Sequence, residues 1–223
     1  MRLEKASRKA IEFACKNYHY SKSVPVNPVA FSVFNDKNEW CGCILYGIGA
    51  TNNIGKPYGI MQGQIIELTR MALNGKQEST SKALSLSMKV IKKKLPLVKL
   101  IISYADSEKG HNGIIYQATN WYYVGYSTDT NIIINGQRHH RRSLGSKYGT
   151  CSIEKLNKNG MNAISIKTLP KYKYIYPLDK SMIELCNKLK KPYPKKSVKS
   201  IVNDAVTNPS EESGAEPTLT HHD

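Results

Sequence analysis

Residues 64–104 constrain the fold more than any other stretch. QIIELTRMAL at 64–73 is apolar on both faces, as a strand inside a sheet is. A break at Asn74–Gln77 leads to Ser79, Thr80 and Ser81, whose hydroxyls suit a helix N-cap. The helix that follows carries Leu84, Met88, Ile91 and Leu95 on one stripe, with Ala83, Leu86 and Val90 beside it, and Pro96 ends it. LVKLIISY at 97–104 is a short apolar run, a second buried strand. A strand–helix–strand unit of this kind joins two parallel strands by a crossover. The chain is therefore α/β.

The remaining elements place this unit in a mixed sheet. Leu3, Ala6, Ala10, Phe13 and Ala14 recur at spacings of three and four, which predicts a helix over 2–17. Ala30–Phe34 and Trp40–Ile48 read as strands around the turn residues Asn35-Asp36-Lys37-Asn38. Gly47 to Gly63 is glycine-rich and reads as a loop. Ile114–Trp121 reads as a short helix and Tyr122–Tyr126 as a strand. Residues 128–170 are less regular, apart from a hairpin signal at Asn135-Gly136. KYKYIY at 171–176 alternates Lys and Tyr like a half-exposed strand. Asp179–Lys191 reads as a helix with Met182, Leu185, Cys186 and Leu189 inward. Consecutive early strands pair by hairpins, so the central sheet is mixed and mostly antiparallel, flanked by helices. The expected organisation is one domain over 1–178, a C-terminal helix over 179–196 packed on it, and a disordered tail over 197–223.

Charge narrows the partner. Lys and Arg number 33 against 17 Asp and Glu, a formal net charge of +16, which points to a polyanion. Residues 206–223 run the other way, with four acids and no Lys or Arg, and read as an acidic tail. No apolar run approaches the roughly 20 residues that a membrane span needs. The mixed-charge start, MRLEKASRKAIEF, is unlike a secretory signal. The five cysteines are odd in number and irregular in spacing, as reduced thiols in a cytoplasmic protein would be. Cys41-x-Cys43 should point both thiols to one face of a strand, but no second ligand pair accompanies them.

Common motifs are missing: the phosphate loop, the nucleophile elbow, the zinc helix, the dinucleotide turn and the zinc-deaminase pattern. What stands out is SYADSEKGHNGIIYQATNWYYVGY at 103–126. It crowds Ser103, Tyr104, Asp106, His111, Tyr116, Gln117, Asn120 and Trp121 around a strand end and the next helix, and α/β sheets bind ligands at such strand ends. Asp106 serves there either as a functional carboxylate or as a turn cap. His19 and Tyr20, at the end of the first helix, are a second candidate; histidine, with a pKa of ~6.5, suits acid–base work. Glu67 and Arg70 are expected to line the cleft, with a structural ion pair as the equal alternative for Arg70. The third feature is basic: Arg138, His139, His140, Arg141 and Arg142, followed by Lys147 and Tyr148. It suits a phosphate backbone, with Tyr122, Tyr123, Tyr126, Tyr148, Tyr172 and Tyr174 available to stack on an unstacked base.

The block SYAD…GHNGIIYQATNW…GY resembles the phage Mom family of DNA-modification proteins. His19-Tyr20, IIELTRM at 65–71, NGQRHHRRSL at 135–144, KYGT at 147–150 and KYKYIYPLD at 171–179 follow in the same order. The resemblance covers roughly residues 10–180. It implies a GNAT-like acyltransferase fold in which the strands at 64–73 and 97–104 splay to admit an acyl-CoA arm. It also implies a carbamoylmethyl- or acetamido-type group placed on the exocyclic amine of adenine in double-stranded DNA, which protects that DNA from restriction in the cytoplasm of a bacterial host. On that basis His19, Tyr20, Tyr104, Asp106 and Tyr116 are the expected catalytic residues, with Trp121 and tyrosines receiving the flipped base. Ser79, Ser81 and Lys82 are expected at the cofactor phosphates, and Arg138, His140, Arg142 and Lys147 on the DNA backbone. The donor is open, acetyl-CoA or a related acyl-CoA being the expected class. The segment NGKQESTSKA carries only Gly75 where GNAT proteins have a glycine-rich phosphate loop. A metal ion would find its ligands in His19, Asp106 and His111. The alternatives are an N-acyltransferase acting on a protein or small-molecule amine, and a basic protein that masks DNA without chemistry.

Overall fold

In the computed structural model, residues 1–26, 28–49, 51–127 and 130–194 are described, except for the side chains of 140–143 and 146. The tail expected from 197 onward lies outside them.

A seven-stranded sheet forms the centre. Its strands are β1 (Arg2–Lys5), β2 (Val29–Phe34), β3 (Trp40–Gly47), β4 (Ile65–Leu73), β5 (Leu100–Asp106), β6 (Tyr122–Ser127) and β10 (Lys171–Pro177), in the order β1-β2-β3-β4-β5-β10-β6. Every neighbouring pair is antiparallel except β4 and β5. Those two are joined by the expected crossover through α2 (Thr80–Lys94), which Ser79 caps by accepting the N–H of Lys82 at 3.2 Å. The sheet is covered on both faces. α2 and the single turn α3 (Ile114–Gln117) lie over a cluster that includes Ile44, Tyr46, Leu68, Ile101, Trp121 and Tyr174. On the other face, α1 (Arg8–Tyr18) packs Ile11, Ala14 and Cys15 against Cys43, Leu45 and Ala72. Beside it, α6 (Ile183–Leu189) and the 47–64 loop pack Cys186, Ile54 and Tyr58 on Leu100, Ile102 and Ile175.

Several expectations need correction. The first helix begins only at Arg8, because residues 2–5 are an edge strand pairing with β2. Backbone pairing and the partial burial of Leu3 outweigh the helical spacing there. Ser7 then caps α1 by accepting the N–H of Ala10. The helix expected over Ile114–Trp121 is a single turn. Residues 171–177 are an inner strand rather than a half-exposed one, since β10 lies between β5 and β6, with Tyr174 and Ile175 fully buried. The irregular stretch 128–170 holds a second sheet of β7 (Thr130–Ile134), β8 (Gln137–His140) and β9 (Ala163–Lys167), in the order β8-β7-β9. The hairpin expected at Asn135-Gly136 joins β7 to β8. With α4 (Arg141–Tyr148) and α5 (Ile153–Lys158), this sheet encloses its own small core of Ile132, Ile134, Leu144, Leu156 and Ala163.

The two thiols of Cys41-x-Cys43 do not share a face. Val33 pairs with Gly42 but Phe34 pairs with Trp40, so Cys41 is an extra residue, a bulge. Cys41 joins the cluster under α2, and Cys43 joins the one under α1. Gly42 makes this turn-over possible: its φ is +118°, and a Cβ there would lie 2.1 Å from the carbonyl oxygen of Ala72. That oxygen is backbone in the next strand and has nowhere to go. Gly42→Ala should therefore destabilise the fold by about 3 kcal/mol, combining backbone strain with overpacking. Urea unfolding of the two proteins checks this; an unchanged midpoint would refute it.

Candidate active site

The parallel pair β4–β5 is short. Ile65, Ile66 and Glu67 pair with Leu100, Ile101 and Ile102, and there the ladder stops. Beyond it, β4 continues against β3 as far as Leu73, while β5 continues against β10 as far as Asp106. The two strands are thus drawn apart by their outer partners into a fork. Leu68 sits at its base, and the buried hydroxyl of Ser103 donates to the Leu68 carbonyl at 2.8 Å. The Tyr116 hydroxyl is 2.8 Å from the same Ser103 oxygen. Its ring packs between Trp121 and Tyr174, with centroids at 5.1 and 4.9 Å. Burial, and then the charge of Glu67, raises the Tyr116 pKa, so this phenol stays protonated.

The mouth of the fork gathers residues distant in sequence. Alternation along β5 sends Tyr104 and Asp106 to the face that α1 covers, and α1 ends by delivering His19 and Tyr20 to it. The Tyr20 hydroxyl donates to Asp106 Oδ2 at 3.4 Å. The other carboxylate oxygen, Oδ1, accepts the N–H of Glu108 at 3.1 Å. The Tyr20 ring stacks on His19 at 4.3 Å and meets the edge of His111 at 5.6 Å. Tyr20 is 47% exposed, with its hydroxyl turned to Asp106. Partial burial of the side chain, followed by the Asp106 charge, pushes the Tyr20 pKa up to about 12. Tyr104 packs in the cluster beside Tyr58, one residue pair back along β5 from Asp106.

His19 is held neutral. Burial first, then the positive charges of Arg70, His111 and Lys22, push its pKa down from 6.5 to about 4. Its Nδ1 lies 3.2 Å from the Ser21 N–H and 2.9 Å from the Ser21 hydroxyl; the tautomer in which Nδ1 accepts that N–H carries its proton on Nε2. At neutral pH His19 therefore offers a hydrogen-bond donor, and it is too weak a base to take a proton readily. Arg70 binds the Thr69 carbonyl at 2.6 Å and the Ser23 hydroxyl at 3.0 Å, leaving its buried Nε without a partner among the described residues.

The structure thus brings together His19, Tyr20, Tyr104 and Asp106, with Arg70 and His111 beside them. Tyr116 stands at the base of the fork. Trp121 is fully buried against Tyr116 and Tyr176, and Tyr123 and Tyr174 are buried as well, so none of the three is open to receive a base. Tyr126 is 63% exposed. Ser79 and Ser81 lie at the start of α2, with their hydroxyls 2.9 Å apart. Arg138 is on β8 and bound to Glu108 at 2.7 Å. Lys147 is exposed on α4. The side chains of His140 and Arg142 lie outside the described residues. Among the described residues no group of three or more His, Cys, Asp or Glu is placed to hold a metal ion, so His19, Asp106 and His111 do not form a ligand set. Sequence reasoning missed Ser23 and Glu108, whose roles depend on long-range partners that no local spacing reveals.

Residues 1–195 match the model of the Mom protein family. The methylcarbamoylase mom of Escherichia phage Mu is 30% identical over 186 residues, covering 79% of this chain and 76% of that protein. Solved structures are similar more loosely. The spermidine/spermine N-acetyltransferase SpeG from Vibrio cholerae matches at 10% identity and a TM-score of 0.45, over 79% of this chain and 94% of that one. A GNAT-family acetyltransferase from Bacillus anthracis matches at 14% identity and a TM-score of 0.44, over 80% and 96%.

The state of His19 has a consequence for stability. An imidazole with a folded pKa of about 4 and an ordinary value of 6.5 binds its proton more readily when unfolded. Stability therefore falls as pH drops from about 6.5 to about 4. His19→Asn should remove this part of the acid sensitivity. Urea unfolding at pH 7 and at pH 4.5 measures it; an equal loss in both proteins would refute the assignment.

Proposed function

The chain belongs to the Mom protein family, and from that premise we propose that it is a phage DNA-modifying transferase. In this reading its substrate is adenine in double-stranded DNA, and it adds a carbamoylmethyl-type group to the exocyclic amine. The activity takes place in the bacterial host cell and protects the modified DNA from restriction. No helix among the described residues is long and apolar enough to cross a membrane.

The observation that carries this reading is the fork, with Tyr20 and Asp106 meeting across its mouth at 3.4 Å. An adenine amine is paired and stacked inside the duplex, so the base must be flipped out, which costs a few kcal/mol. The mouth supplies what a flipped base needs. The exposed Tyr20 ring, backed by His19, offers a stacking surface. Asp106 offers an acceptor for an amine N–H. His19, in the tautomer above, offers an Nε2 donor. In the reaction the amine nitrogen bonds to the donor carbon, the donor's leaving group departs with its bonding electrons, and the amine gives up a proton, for which Asp106 is the acceptor. Tyr104 and Tyr116 shape the walls and the base of the fork.

A CoA-type donor would place its arm between the parted strands and its pyrophosphate at the start of α2. A thioester would pass its carbonyl carbon to the amine and leave an amide, whereas a carbamoylmethyl group is joined to nitrogen through its methylene, so in this reading the carbon that the amine attacks is a methylene bearing the leaving group. The fit rests on the 15-residue α2 having no acid in its first turn and opening with the N–H groups of Thr80 and Ser81, which have no carbonyl one turn back to bind. Ser79, Ser81 and Lys82 surround that point. The DNA backbone falls to Lys147 and the basic segment 139–142, since the guanidinium of Arg138 is already engaged.

Nucleoside mass spectrometry of plasmid DNA from expressing cells tests the proposal. A new deoxyadenosine-derived species is expected with the natural chain and none with Asp106→Ala, which should still bind duplex DNA. That binding should weaken steeply with salt, since each phosphate contact releases a counterion. A folded chain that yields no new nucleoside overturns the proposal.

A further inference from the structure

We propose that Glu108 and Arg138 form a latch by which the small sheet positions Asp106, making both of them positioning residues. The proposal rests on the DNA-modification reading above and adds to it a link between the basic hairpin and the site.

The link can be followed atom by atom. Asp106 ends β5 and leads into a short 3-10 turn, Ser107–Lys109. The Glu108 N–H fixes Asp106 Oδ1 at 3.1 Å, leaving Oδ2 to meet Tyr20. Glu108 is itself held from outside the turn. Its Oε1 accepts Arg138 Nη2 at 2.7 Å and the N–H of Leu169 at 3.1 Å. Arg138 also abuts the Asn131 amide: with the amide assigned so that its oxygen faces the guanidinium, that oxygen accepts from Nε at 2.6 Å and Nη2 at 2.8 Å. The Ser107 hydroxyl donates to the Pro170 carbonyl. The turn that carries Asp106 is thus tied to β7, β8 and the segment before β10, all from the region that builds the small sheet. The Arg138 hydrogen bond holds the Glu108 carboxyl below its ordinary range and raises the pKa of Arg138, so both ends stay charged.

A displacement of β8 therefore moves Glu108, and Glu108 moves the carboxylate that faces Tyr20. The side chains of Arg138 and Glu108 keep 44% and 26% of their surface open, and a pair this exposed adds little to global stability. Removing it should loosen the turn without unfolding the chain, which separates a positioning role from a structural one. It also separates the latch from a DNA contact, because Glu108 would repel phosphate.

The experiment compares the full natural chain with Arg138→Ala, Glu108→Ala and the charge-reversed pair Glu108→Arg with Arg138→Glu. It measures kcat and KM for modification of duplex DNA, the Kd for that DNA, and amide hydrogen exchange over 106–111 without DNA. Both single variants should lose about 10- to 100-fold in kcat, the scale expected of a misplaced catalytic group. Their KM and Kd should hold, and exchange over 106–111 should quicken in both. The charge-reversed pair should recover part of the kcat and slow the exchange. If Arg138→Ala instead weakens DNA binding and lowers the salt slope by about one contact, while Glu108→Ala matches the natural chain, Arg138 is a backbone contact and the latch is overturned. Unchanged exchange in both single variants overturns it too. That readout needs no activity, so a failure of the DNA-modification reading would remain distinguishable.

Discussion

Two parallel strands that stop pairing leave backbone groups that need other partners, and the rest of this structure depends on how that need is met between β4 and β5. An unpaired buried carbonyl costs free energy on the scale of a lost hydrogen bond. Here Ser103 supplies the missing donor to Leu68, and the Tyr116 hydroxyl completes the local network. β3 and β10 hold the two arms apart by continuing their own ladders past the point of divergence. The opening is therefore built into the sheet and held by regular pairing on either side. A side chain at the end of β5 can face one at the end of α1 only because that space exists.

The electrostatics of the mouth follow from the same geometry. Arg70 lies on the arm of β4 and turns toward Ser23, in the loop after α1. Its charge acts on His19 and Tyr20 together. It helps keep the imidazole neutral, and it partly offsets the burial and carboxylate charge that keep the Tyr20 phenol protonated. Both groups consequently enter the neutral pH range as donors, while Asp106 is an acceptor. Such a division of roles needs no finely poised histidine. It arises from a half-buried imidazole sharing a cleft with cations.

Much of this was legible in the sequence. The βαβ unit, the helix cap at Ser79, the hairpin at Asn135-Gly136 and the pairing of His19-Tyr20 with the 103–126 block follow from periodicity, turn chemistry and family resemblance. The failures have particular causes. Residues 2–5 carry helical spacing, yet their backbone finds a partner in β2, and one edge pairing outweighs a weak propensity. β10 alternates Lys and Tyr like a surface strand, but tyrosine has enough apolar body to fill a core when its hydroxyl finds a partner, as Tyr174 does at Asn112. Trp121 looked like a stacking platform because aromatic residues serve cores and sites alike, and only burial separates the two. The same-face expectation for Cys41 and Cys43 failed at Gly42, where one bulge reverses the alternation.

The second sheet shows what a single sequence hides most completely. Its helices run to only eight and six residues, too short for a hydrophobic period to declare itself. Among the described residues its core is five buried side chains, too small a cluster to stand out in composition. Its basic character was obvious, and for that reason Arg138 read as one positive charge among several. The guanidinium is distinguished by what it meets, a carboxylate 30 residues earlier on the turn that ends β5. An arginine whose planar fork bridges an amide and a carboxylate keeps fewer of its N–H donors for a phosphate. In the latch proposed above, the surplus positive charge of the hairpin and the geometry of the cleft are separate properties carried by neighbouring residues of one element.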